Sequence, residues 1–135
     1  MIGADSRSLA SPWRAESYPP GTIRALATLL DDLATRQVRY CLWKSNLRLP
    51  QALAGVTDVD LLVDGTHSQA FNEVLGRHPV KPIFPPPHAV YPGMEHYLGF
   101  DKSDGRLFHL HVHYQMVLGE QFVKNYRVPM EREFL

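Results

Sequence analysis

The run Asp58-Val59-Asp60-Leu61-Leu62-Val63 constrains this chain more than any other segment. Alternate residues of a strand face the same way. Asp58 and Asp60 therefore share one face, while Val59, Leu61 and Val63 share the other. A strand with so apolar a back belongs against a core, and paired carboxylates at the edge of such a strand are costly unless something positive occupies the site. The fold must therefore give this strand one covered face and one face that can host a positive partner.

The surrounding segments read as a compact alternation of helices and strands. Ile23, Leu26, Ala27, Leu30, Leu33 and Ala34 recur at helical spacing and predict a helix over Thr22 to Gln37. Val38 to Trp43 reads as a buried strand that runs through Lys44 into a turn at Ser45. Asn46 to Ala54 reads as a short helix broken by Pro50 and ended by Gly55. After the Asp58–Val63 strand, Asp64-Gly65 marks a turn, and Ala70, Phe71, Val74 and Leu75 predict a helix over Thr66 to Arg77. Val80 to Phe84 follows as a short strand, and Pro85-Pro86-Pro87 forces an extended loop. Glu95 to Asp101 and Arg106 to Tyr114 form a hairpin around Asp101-Lys102-Ser103-Asp104-Gly105. The tail beyond Gly119 is open to more than one reading, with a helix starting in Glu120 to Tyr126 and interrupted by Pro129. Residues 1–20 read as a disordered leader, leaving one domain over residues 21–135. The expected class is α/β (α+β): a small mixed β-sheet with helices mainly on one face. The apolar, helix-like end at Leu135 reads as that of a fragment or first module of a longer protein.

Composition narrows the function classes. Fourteen basic and fourteen acidic residues cancel, so no global basic field draws nucleic acid, which is not implied as a partner. No apolar run approaches the roughly 18 residues of a membrane helix. The single cysteine, Cys41, rules out an internal disulfide, fits a cytoplasmic setting, and lies in an apolar strand as a small core residue. On the Asp-x-Asp face, magnesium bridging a nucleoside triphosphate is the usual occupant of such a carboxylate pair.

The succession of strand, turn at Lys44-Ser45, short helix and Asp58-x-Asp60 on the next strand resembles the nucleotidyltransferase superfamily with the polymerase-beta-type fold. In that family's pattern a glycine precedes a Gly or Ser, and here Lys44 stands in the glycine's place before Ser45. More narrowly, Trp43-Lys44-Ser45-Asn46, the run Gly55 to Val63, His109-Leu110-His111-Val112-His113-Tyr114, Gly119-Glu120 and Lys124-Asn125-Tyr126 are similar to bacterial proteins with a nucleotidyltransferase-like region ahead of a thymidylate-kinase-like domain. The resemblance covers about residues 22–135 and implies a downstream or partner kinase-like domain; no Gly-rich kinase loop of the P-loop type occurs here. It implies metal-dependent nucleotidyl transfer from a nucleoside triphosphate to an unknown acceptor. Asp58 and Asp60 would bind one or two Mg2+ ions. Lys44, Ser45 and Asn46 would hold phosphates through backbone N–H groups and the lysine charge.

The family supplies a third carboxylate from a later strand. The corresponding strand here, Arg106 to Tyr114, carries His109, His111 and His113 on one face and no acid. The nearest downstream acids, Asp101 and Asp104, sit in the hairpin turn. A histidine from this row can act as ligand or general base. The three histidines can also hold a zinc ion, since alternate strand residues converge on one metal. His109-x-His111-x-His113 further resembles the histidine-triad nucleotide hydrolases and transferases, which would make His111 a nucleophile, although Gln115 stands where their signature is apolar. The absent acid and glycine favour one more reading, a non-catalytic nucleotide-binding or regulatory module of the same fold. Trp43 reads as a core residue, Lys124 and Arg127 as a solvated face, and Tyr91 and Tyr97 as pocket-lining residues near His96 and the three prolines.

Overall fold

The computed structural model describes residues 18–44, 46–120 and 123–135. The expected leader up to residue 17, and Ser45, lie outside the described residues. The first helix, α1 (Arg24–Thr35), buries Leu26, Leu29, Leu30 and Leu33. After it come β1 (Tyr40–Leu42), a 3-10 turn at Asn46–Arg48, α2 (Leu49–Leu53), β2 (Val59–Val63) and α3 (Ser68–Leu75). Three strands follow, β3 (Val80–Ile83), β4 (Met94–Asp101) and β5 (Arg106–His113), and then β6 (Val117–Glu120), β7 (Val123–Arg127) and the short α4 (Glu131–Phe134). The predicted order holds as far as β5.

Two local expectations are corrected. Pro50 does not break the short helix but lies in the first turn of α2, where its missing N–H would have no intrahelical partner. The tail is not a helix over Glu120 to Tyr126: β6 and β7 pair as an antiparallel hairpin with Val117 opposite Arg127. The Val128 N–H then donates to the Met116 carbonyl at 2.8 Å, closing the hairpin's base.

Five strands form a mixed sheet in the order β1-β2-β5-β4-β3. Only β2 and β5 run parallel; the other neighbours are antiparallel. β3 lies at an edge, which is where a strand can carry Pro82 without losing a ladder bond. The apolar side chains of α1, Ala52 and Leu53 of α2, and Phe71, Val74 and Leu75 of α3 pack with Val59, Leu61, Val63, Phe108, Leu110 and Val112. Helices α1 to α3 thus cover one face of the sheet, as the pattern of β2 requires. On that face the Phe108 ring lies where a Cβ of Gly99, its cross-strand partner, would stand, so only glycine lets β4 and β5 close there. Gly55 ends α2 with φ +75, and a Cβ there would come within 2.6 Å of the Leu107 carbonyl oxygen.

The opposite face carries a smaller apolar cluster at one end, where Trp43, Leu62 and Met116 pack with Cys41, Val128 and Leu135. Burial raises the Cys41 thiol, which makes it a packing residue rather than a nucleophile. No helix among the described residues is long and apolar enough to cross a membrane.

Asp101 ties the hairpin to α1. Ile23, at the N-cap position, has no side chain that can cap the helix. Instead the Ala25 N–H donates to Asp101 Oδ2 at 2.9 Å, and the Ser103 N–H donates to Oδ1 at 2.8 Å. The Ser103 hydroxyl and these two N–H groups hold the carboxyl down at about 2. A folded-state value below the unfolded one, about 4, gives stability that is full above pH ~4 and lost as pH falls toward 2. Asp101→Asn should lower the melting temperature at pH 7, and its difference from the unmodified chain should shrink between about pH 4 and pH 2. A difference that stays constant over that range, read by thermal denaturation, contradicts this role.

Candidate metal centre

The open face is built by register. β2 and β5 run parallel with Asp60 opposite His111 and Leu62 opposite His113. β4 runs antiparallel to β5 with His96 opposite His111 and Leu98 opposite His109. Because side chains alternate, Asp58, Asp60, His96, His109, His111 and His113 all fall on the face that helices α1 to α3 do not cover.

The contacts follow a definite pattern. His109 Nδ1–H donates to Asp58 Oδ1 at 3.1 Å, and His113 Nε2–H donates to Asp60 Oδ1 at 3.1 Å. His111 stands between the carboxylates, with Nε2 3.5 Å from Asp58 Oδ2 and Nδ1 3.5 Å from Asp60 Oδ1. The His96 ring meets His111 edge-on at 4.7 Å between centroids and stacks near His109 at 5.5 Å. His113 is the deepest of the four; its ring meets that of Trp43 edge-on at 4.7 Å.

Burial alone would raise the Asp60 carboxyl, but hydrogen bonds and charge from His111 and His113 overcome it and hold the group far below the usual carboxylate range. Burial, with repulsion from His111, His109 and His113, pulls His96 below the ordinary histidine value. Burial also lowers His113, against the pull of Asp60. Both imidazoles therefore favour the neutral form that binds metals. A carboxylate oxygen accepts, so the ring N–H that meets Asp58 is Nδ1–H, and Nε2 is the nitrogen turned away from it. That Nε2 is buried and has no hydrogen-bond partner among the described residues.

Two sets of side chains bring three ligand atoms within 4.8 Å of one another: His96, His109 and His111, and Asp60, His111 and His113. The expected zinc set His109, His111 and His113 is thereby redrawn, because His113 is turned to Asp60 and Trp43 while His96 comes in from β4. Asp58, Asp60 and the three predicted histidines do meet. Asp101 and Asp104 do not join them, the first capping α1 and the second pairing with Arg106 at 2.6 Å.

Lys44 follows β1 with φ +64, the left-handed conformation that favours glycine, and its ammonium lies 4.2 Å from the Trp43 ring centroid. Trp43 itself is buried, a core residue as its position in the strand suggests. Asn46 opens the 3-10 turn that follows. Arg127 pairs with Glu131 at 3.4 Å. A cavity of about 410 Å³ lies between β3, the proline loop and β4, lined by Ile83, Phe84, Val90, Met94, His96 and Tyr97. Tyr97, of the two tyrosines expected there, belongs to this lining and Tyr91 does not. His96 belongs to both the cavity and the cluster.

Comparison of the chain with protein-family models, with curated proteins and with solved structures gave no match.

The strain at Lys44 is measurable. Lys44→Ala and Lys44→Gly both remove the ammonium from Trp43, but only glycine relieves the left-handed backbone. Lys44→Gly should be more stable than Lys44→Ala by about 1 kcal/mol in denaturant unfolding. Equal stabilities would show that the turn carries no such strain.

Proposed function

We propose that this face carries out metal-dependent nucleotidyl transfer from a nucleoside triphosphate to an acceptor. The observation that carries the reading is the meeting of Asp58 and Asp60 on one open strand face, next to a turn that takes a glycine-type conformation at Lys44. The resemblance noted above has a glycine at that position, and Lys44 here adopts a backbone conformation that favours glycine. His111 stands opposite Asp60 on β5, the strand from which the resemblance would draw a third carboxylate.

The donor chemistry fits a hard divalent ion arriving with the triphosphate. Such ions take one or two carboxylates together with substrate phosphates, and Asp58 is about half exposed while Asp60 is held ionised. Asp58 and Asp60 would hold the ion, which when bound neutralises phosphate charge. Lys44 and the N–H groups of the following turn contribute positive potential for the terminal phosphates. The cavity beside His96 has the size and apolar lining to take a nucleobase. A histidine of β5 accepts the proton of the acceptor. The acceptor, a kinase-like partner domain and a cytoplasmic setting complete this reading.

Titration calorimetry with ATP, GTP, CTP and UTP, with and without Mg2+, tests it on the unmodified chain and on Asp58→Asn/Asp60→Asn. Binding of a triphosphate only with the ion, lost in the double variant, is the expected result. Binding indifferent to the ion, or none with any triphosphate, would overturn the proposal. Binding without turnover would instead assign the non-catalytic module, and a covalent nucleotidyl adduct on His111 the histidine-triad chemistry.

A further inference from the structure

We propose that His96, His109 and His111 are the ligands of a resident transition-metal site, with Asp58 not as a ligand but as the group that orients His109. Three independent features meet here. The first is placement: β4 and β5 set His96 directly opposite His111, with His109 two residues away on the same face. One ring nitrogen from each lies within 4.8 Å of the others. Donors around a tetrahedral ion at ~2.1 Å are about 3.4 Å apart, so small rotations of the rings close the site.

The second feature is the state of His109. Its Nδ1–H is spent on Asp58 at 3.1 Å, and its Nε2 is buried with no hydrogen-bond partner among the described residues. A metal-binding histidine characteristically gives its other ring N–H to a carboxylate, which fixes the tautomer and makes the free nitrogen more basic. A buried lone pair without a partner is a cost that a bound ion removes.

The third feature is the chemistry of the set. Three imidazoles suit zinc, cobalt, nickel, copper or iron rather than magnesium. Three protein ligands leave a position open for water or a ligand. His96 also lines the 410 Å³ cavity, so a molecule bound there lies against the site. The competing set of Asp60, His111 and His113 is less suited, because His113 is packed against Trp43 and its Nε2–H is committed to Asp60.

The probe is the metal alone. The metal-free chain is titrated with Co2+, with the visible absorption reporting coordination geometry and equilibrium dialysis reporting stoichiometry. One tetrahedral ion per chain is expected. His96→Ala and His109→Ala should abolish it, with circular dichroism confirming that both variants fold. Asp58→Asn should weaken binding by about 10- to 100-fold through its effect on His109. Asp60→Asn should keep the tetrahedral ion. Unchanged binding in His96→Ala, or loss in Asp60→Asn with retention in His96→Ala, overturns the assignment. Since no triphosphate is present, this result and that of the nucleotide titration stand or fall separately.

Discussion

The Asp60 carboxylate stays ionised on an otherwise apolar β2 because His111 and His113 of β5 stand directly against it. The parallel pairing of β2 with β5 is what brings this about: it sets Asp60 opposite His111, with His113 bonded to the same carboxylate. Shifting β5 by one residue would turn every histidine to the helix-covered face and Phe108, Leu110 and Val112 to the open one. The core and the cluster therefore specify the same register, and neither can change without the other.

The topology also decides which part of the open face is left for chemistry. Three helices pack on the opposite side, while the tail folds back as a hairpin over the Leu62 end, where Met116, Val128 and Leu135 meet Trp43. His113, packed on Trp43 at this end, is buried, while Asp58 and His109 are more exposed. The row of histidines is thus graded: one end is locked into packing, and the other keeps a buried nitrogen with no hydrogen-bond partner among the described residues. That gradient separates an electrostatic role for His113, which bonds Asp60, from the ligand role proposed for His109.

Much of this was legible in the sequence. The period-two pattern of Asp58 to Val63 specified a half-covered sheet, and the spacing of His109, His111 and His113 put the histidines on a shared face. His96 was seen only as a pocket neighbour, although the signal for more was present. Pairing Asp101 with Arg106 across the hairpin and counting outward places His96 opposite His111. The parallel neighbour of β5 could not be read, because which strand lies beside β2 is settled by long-range packing and not by local pattern. The capping role of Asp101 was hidden for the same reason, since its partner Ala25 lies on another element far away in sequence. The tail was misleading because its alternation is short and Pro129 suggested an interrupted helix rather than the base of a hairpin.

The proton on His109 is the most direct test of the account. Long-range proton–nitrogen correlation spectra of the metal-free chain report which imidazole nitrogen is protonated. The account predicts His109 as the Nδ1–H tautomer, with an unprotonated Nε2 whose resonance moves when zinc is added. An Nε2–H tautomer, or a His109 spectrum indifferent to zinc, would contradict it.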